Sequence, residues 1–87
     1  MNNAQARMLA DVRNAWDRSG AYEMPETHRH SPGMLIVWTE SRDRYGSPGD
    51  YVSTVIRLHP DGRREAITDA LSASHFLRDA REEGRRI

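Results

Sequence analysis

The residues of this chain that could do chemistry are arginines, aromatic side chains and histidines. All thirteen lysine-or-arginine positions are arginine, and there is no cysteine, which excludes disulfides and thiolate metal sites. Guanidinium groups bind carboxylates and phosphates through paired hydrogen bonds, and they also stack on aromatic rings. Thirteen acidic residues bring the formal net charge to zero. A basic surface that covers the whole domain, as in many nucleic-acid-binding proteins, is therefore not expected.

Arginine and aromatic residues are concentrated in and around the segment 41–50, which reads Ser-Arg-Asp-Arg-Tyr-Gly-Ser-Pro-Gly-Asp. A hairpin between two strands needs only about two residues, so ten residues suggest a role beyond connection. Tryptophan, tyrosine and arginine dominate the binding energy of protein interfaces. The alternative is a solvated connection rich in turn-forming residues. The predicted partner-binding residues are Trp38, Arg42, Arg44, Tyr45, Tyr51 and Arg57.

The histidines allow one metal-site hypothesis, carried by the His-x-His pair His28 and His30. Alternate residues of an extended segment point the same way, so two imidazoles could share a zinc ion. A third ligand would have to come from Glu23, Glu26 or His59. Because no spacing fixes that third ligand, we predict no metal and no other cofactor.

Catalytic motifs are missing from the sequence. It has no HExxH pair, no nucleophile elbow and no phosphate-cradling glycine loop. Glu40, Arg57 and His59 could do acid–base chemistry only if a closed pocket brought them together. We therefore predict that the chain is not an enzyme.

Eighty-seven residues predict a single domain, spanning 1–87, with a helix near each end. The first helix is predicted from Ala4 to Ser19, capped by Asn2 or Asn3 and ended by Gly20. Its apolar stripe, at three- and four-residue spacing, is Met8, Leu9, Val12, Ala15 and Trp16. The last helix has its apolar stripe at Leu71, Ala73, Phe76, Leu77 and Ala80, and its end near Gly84. Its cap is left open between Thr68, Asp69 and Ser72.

Three strands are predicted between the helices. The apolar run Met34–Glu40 indicates a central strand, and Tyr51–His59 alternates clearly. A turn at Pro60-Asp61-Gly62 leads to a polar edge strand, Arg63–Thr68. The predicted fold is thus α+β, in the order α-β-β-β-α, with both helices packed on one face of a three-stranded antiparallel sheet.

That arrangement leaves the second sheet face apolar. A patch containing Ile36, Trp38, Tyr51 and Val55 would be larger than a monomer usually exposes. It would be covered by the long connection 21–33, by a second copy of the chain or by another protein.

The predicted function is a non-enzymatic protein-interaction module, such as an adaptor, regulator or inhibitor of the kind that phages and mobile elements encode. A homodimer is left open, and the alternative is a nucleic-acid binder that uses the same arginines and aromatic rings. The element order is shared with double-stranded-RNA-binding domains, but the start of the last helix, residues 68–74, lacks that family's lysines. Residues 1–4 show no secretory signal and no apolar run is long enough to span a membrane, so a cytoplasmic location is expected.

Overall fold

A computed structural model describes residues 1–42 and 51–87, with only the backbone of Tyr51. Its elements are α1 (Asn3–Ala15), β1 (Arg18–Glu23), β2 (Leu35–Arg42), β3 (Tyr51–Leu58), β4 (Arg64–Ile67), α2 (Ala70–Glu83) and β5 (Arg85–Arg86). The strands form one antiparallel sheet in the order β4-β3-β2-β1-β5. As predicted, the apolar strand β2 is central and the polar strand β4 lies at an edge. Neither helix is long and apolar enough to cross a membrane.

The α+β class and the antiparallel sheet are confirmed, but the sheet has five strands rather than three. The first helix ends at Ala15, because Trp16 already has an extended backbone. Asp17 does not continue the helix; its carboxylate accepts a hydrogen bond from the backbone N–H of Arg42, at 2.9 Å. The chain then enters β1, so residues 18–23, predicted as helix end and connection, pair with β2.

The prediction that both helices pack on one sheet face is wrong, because they lie on opposite faces. Leu35 and Val37 of β2 join the core under α1, whereas Ile36 joins the core under α2. Successive side chains of a strand point to opposite faces, so one apolar run supplies both cores. The second face, expected to be covered by residues 21–33, a second copy or a partner, is covered by α2.

Local polar contacts fix where each helix begins. Asn2 caps α1 in a reciprocal capping box with Gln5. The buried Gln5 amide also donates to two carbonyl oxygens outside the helix, those of Gly33 at 2.8 Å and Leu58 at 3.1 Å. Asp69 is the cap of α2, and its carboxylate accepts from the backbone N–H of Ser72 at 2.8 Å. Each helix is therefore anchored at its first turn.

The connection between β1 and β2 forms a closed loop over residues 24–34. Its ends are joined by a hydrogen bond from the backbone N–H of Met24 to the carbonyl of Met34, at 2.9 Å. The Met24 side chain is buried against Ala80 of α2. The loop therefore packs beside α2 and forms one wall of a groove.

Candidate functional site

Two surfaces of the described chain combine charged, aromatic and polar side chains, and they flank α2 on its two sides. On one side, strands β1 and β2 bring aromatic rings beside arginines. On the other side, the loop 24–34 and α2 enclose a groove rich in histidine and arginine.

The first surface is centred on Trp38, one of the predicted partner-binding residues. We call it the Trp38 surface, and define it by Arg18, Tyr22, Trp38, Arg81 and Arg86. The guanidinium carbon of Arg18 lies 5.8 Å from the centre of the Trp38 ring, and that of Arg86 lies 5.9 Å from the Tyr22 ring. These distances are within the range of cation–π attraction. Trp38 and Tyr22 are both half-buried, so part of each ring remains accessible.

A glycine keeps the Trp38 ring accessible from β1. Gly20 is the cross-strand partner of Trp38, and a β-carbon at Gly20 would lie 4.0 Å from the indole ring. Because opposite residues on a sheet normally cover one another, the missing side chain leaves room beside the indole, where a terminal nitrogen of Arg86 would lie 3.8 Å from that β-carbon. Arg18 is held over the ring by an ion pair with Glu40, at 3.3 Å.

Of the other predicted partner-binding residues, the structure describes Arg42 and Arg57 in full and only the backbone of Tyr51. The Arg42 side chain is exposed at the end of β2, and the Tyr51 backbone pairs with it in register. Arg44 and Tyr45, with the rest of segment 43–50, lie outside the described residues, and so does the side chain of Tyr51.

Arg57 differs from the others because its side chain is engaged inside the chain. Only 11% of that side chain is exposed, and its guanidinium carbon lies 4.3 Å from the centre of the Phe76 ring of α2. It donates to the carboxylate of Glu65 at 2.9 Å and to the carbonyl of His30 at 2.9 Å. Arg57 therefore joins β3 to β4, to the loop 24–34 and to α2.

The Glu65 carboxylate contacts two side chains, the guanidinium of Arg57 and the imidazole of His59. The ring Nε2 of His59 lies 3.1 Å from the same carboxylate oxygen that Arg57 contacts. The hydrogen bond with His59 lowers the pKa of Glu65, and the charge of Arg57 lowers this pKa further. Glu40, the third residue of the hypothetical acid–base set, is paired with Arg18 instead. Arg57 and His59 thus meet at the Glu65 carboxylate, and Glu40 does not join them.

The second surface is a groove of about 840 Å³ between the loop 24–34 and α2, which we call the histidine groove. Arg29 and His30 line it from the loop, and Ser72, His75 and Arg78 line it from α2. Arg57 and Phe76 form part of its inner wall. The sequence did not predict this groove, because its walls are more than forty residues apart along the chain.

His28 fixes one end of the histidine groove. Its side chain is only 6% exposed, and Nε2 lies 2.7 Å from the Glu83 carboxylate. Its Nδ1 accepts hydrogen bonds from the backbone N–H groups of His30 and Ser31, at 3.2 and 3.0 Å. An acceptor at Nδ1 places the ring proton on Nε2, which donates it to Glu83.

This tautomer bears directly on the metal-site hypothesis. The predicted His28–His30 pair does not converge on one point, but His28, Asp79 and Glu83 have ligand atoms within 4.8 Å of one another. A neutral imidazole that binds metal through Nε2 must carry its proton on Nδ1. Here Nδ1 of His28 accepts from two backbone N–H groups and therefore cannot carry a proton itself. The cluster is therefore better suited to clamp the loop to α2 than to bind a metal ion.

Comparisons of this chain with protein-family models, with curated proteins and with solved structures find no match.

Proposed function

We propose that this chain is a non-enzymatic protein-interaction module that binds a larger protein through the Trp38 surface and the adjoining β2–β3 hairpin. The observation that carries the proposal is the clustering of half-buried Trp38 and Tyr22 with three exposed arginines on one flank of α2. These residue types contribute most of the binding energy at protein interfaces, since each combines large contact area with directional polar groups.

The charge of this surface favours a partner with an acidic patch. Arg81 and Arg86 form no ion pair with the residues that the structure describes, whereas Arg18 is paired with Glu40. Complementary charge speeds association and excludes partners of the same sign. Arg42 extends the basic character along β2 toward segment 43–50, and Arg44 and Tyr45 of that segment are proposed to complete the contact together with Tyr51.

A pull-down from the native host with a charge-reversed surface tests the proposal. The variant Arg81→Glu with Arg86→Glu should fold normally, because both side chains are exposed, and should lose the protein that the wild type captures. The matched control is Arg7→Glu with Arg13→Glu, which makes the same charge change on exposed positions of α1, across the sheet. If both variants capture the same proteins as the wild type, the Trp38 surface is not the contact.

Segment 43–50 is tested separately by Arg44→Ala with Tyr45→Ala. Capture should weaken while the melting temperature stays unchanged. Full capture by this variant would limit the contact to the Trp38 surface. Light scattering of the isolated chain separates binding to another protein from self-association, since a homodimer has twice the chain mass.

A second candidate function is binding of single-stranded nucleic acid by the same surface. The observation that favours it is the pair of aromatic rings with adjacent arginines, which resembles the base-stacking platforms of such proteins. Titration with a single-stranded oligonucleotide at about 50 mM salt distinguishes the two candidates, because nucleic-acid binding weakens steeply with salt. No binding under that condition removes this candidate.

A further inference from the structure

The histidine groove has the size and the hydrogen-bonding groups of a ligand site that is separate from the Trp38 surface. Its volume of about 840 Å³ falls within the range of about 300–1,000 Å³ typical of small-molecule sites. Ser72, His75 and Asp79 recur every three or four residues on α2, so one stripe of the helix faces the loop. The other wall is held in place by the His28–Glu83 hydrogen bond.

Donors exceed acceptors in this groove. Arg29 and Arg78 form no ion pair with any described residue, and His30 and His75 are exposed beside them. On the acidic side, Glu83 already accepts the proton of His28, and Asp79 lies at that same end. At the start of α2 the Asp69 carboxylate accepts from Ser72 and lies near His75, so Arg29, Arg78 and His30 remain as the groups without a described anion.

The inner wall contributes a second, independent observation. The Nε of Arg57 is buried and has no hydrogen-bond partner, although the two terminal nitrogens of the same guanidinium are well satisfied. A buried guanidinium N–H without an acceptor is unfavourable, and such groups are rare in folded proteins. Arg57 is among the residues that line the groove, so this N–H lies behind its inner wall.

We propose that the histidine groove binds a small phosphate-bearing molecule, with Arg29 and Arg78 as the main cationic contacts. Arginine suits this ligand because its planar fork donates two parallel hydrogen bonds to phosphate oxygens. His30 and His75 supply further donors. A small molecule is favoured over a macromolecule because the groove volume of about 840 Å³ is that of a small-molecule site.

The proposal is tested with ribose 5-phosphate, using ribose as the uncharged control and amide chemical shifts of the full chain as the readout. We expect shifts confined to residues 27–30 and to α2, with a Kd on the order of 1 mM or tighter for a molecule of this size. Ribose should give none. Absence of shifts with ribose 5-phosphate at about 10 mM, ten times that Kd, would overturn the proposal.

Charge reversal distinguishes a defined site from general attraction of anions. Arg29→Glu with Arg78→Glu should weaken binding at least tenfold, whereas the control pair Arg7→Glu with Arg13→Glu should leave it unchanged. Equal weakening by both pairs would mean that no site exists. If the reversed variant fails to fold, Arg29→Gln with Arg78→Gln replaces it and should also weaken binding. Tighter binding of a phosphoserine peptide than of ribose 5-phosphate would reject a small molecule as the ligand.

Discussion

Replacing Arg57 tests whether this residue acts inside the fold or on a partner. The sequence predicts it as a partner-binding residue, yet its guanidinium contacts Glu65, His30 and Phe76 within the chain. Arg57→Met keeps most of the side-chain volume but removes these three contacts, together with the weaker ones to the Ser31 hydroxyl at 3.3 Å and the Met34 sulfur at 3.1 Å. We therefore expect a loss of stability, and its size can be worked out from the contacts.

Each contact contributes a separate amount. The ion pair with Glu65 is worth about 0.5 kcal/mol, because the Glu65 side chain is 47% exposed. The hydrogen bond to the His30 carbonyl and the attraction to the Phe76 ring are each worth about 1 kcal/mol. The substitution also removes the buried Nε that lacks a hydrogen-bond partner, and this change restores about 0.5 kcal/mol of the lost stability. The expected destabilisation is about 2 kcal/mol, or about 8–16 °C in melting temperature for a domain of this size.

The assay is urea unfolding followed by fluorescence of Trp16 and Trp38. The control is Arg64→Met, since Arg64 is an exposed arginine on β4 that forms no ion pair with the described residues. It should change the free energy of unfolding by less than about 0.5 kcal/mol. Equal urea midpoints for Arg57→Met and Arg64→Met would refute the structural role. Loss of partner capture by a fully stable Arg57→Met protein would instead support the sequence-based role.

The remaining predictions concern the end of α2 and acid stability. Gly84→Ala should destabilise the domain by about 1–3 kcal/mol, because the new β-carbon would lie 2.6 Å from a backbone oxygen; Gly20→Ala, with 3.8 Å of room, should be neutral or stabilising in the same thermal melts. Because the folded pKa of Glu65 is lowered from its ordinary 4.5, its contribution is present above pH 4.5 and is lost as pH falls through the lower folded pKa. Glu65→Gln should therefore flatten the dependence of unfolding free energy on pH in this acidic range, and an unchanged slope would contradict this account.

Elements with a clear period were predictable from the sequence, and those created by tertiary pairing were not. The alternation over Tyr51–His59 predicts β3 to within one residue, and the caps and apolar stripe predict α2. Strand β1 contains Gly20 and forms only because it pairs with β2, while Trp16 fits the helical stripe well enough to extend the predicted helix. Strand β5 consists of two arginines, which are too few to show the alternation that predicts a strand.

The sites were less predictable than the fold, for a physical reason. Trp38 could be predicted as a partner-binding residue because its residue type is informative without a structure. Its neighbours Arg18 and Arg86 reach the surface only through strands that the sequence did not reveal. The clamp between His28 and Glu83 joins residues fifty-five positions apart. The spacing of neighbouring residues in the sequence cannot predict a contact over that separation.

Because α1 and α2 cover the two faces of the sheet, the candidate sites lie on the two flanks of α2. One flank carries Leu77 and Arg81 toward the Trp38 surface, and the other carries His75 and Arg78 toward the histidine groove. Among the described residues, Ala80 is the one α2 side chain that is fully buried, so this helix has a modest share of the core. A ligand that binds only the docked helix stabilises docking by mass action. Occupation of the groove would therefore also favour the complete Trp38 surface, because Arg81 joins that surface only while α2 is docked.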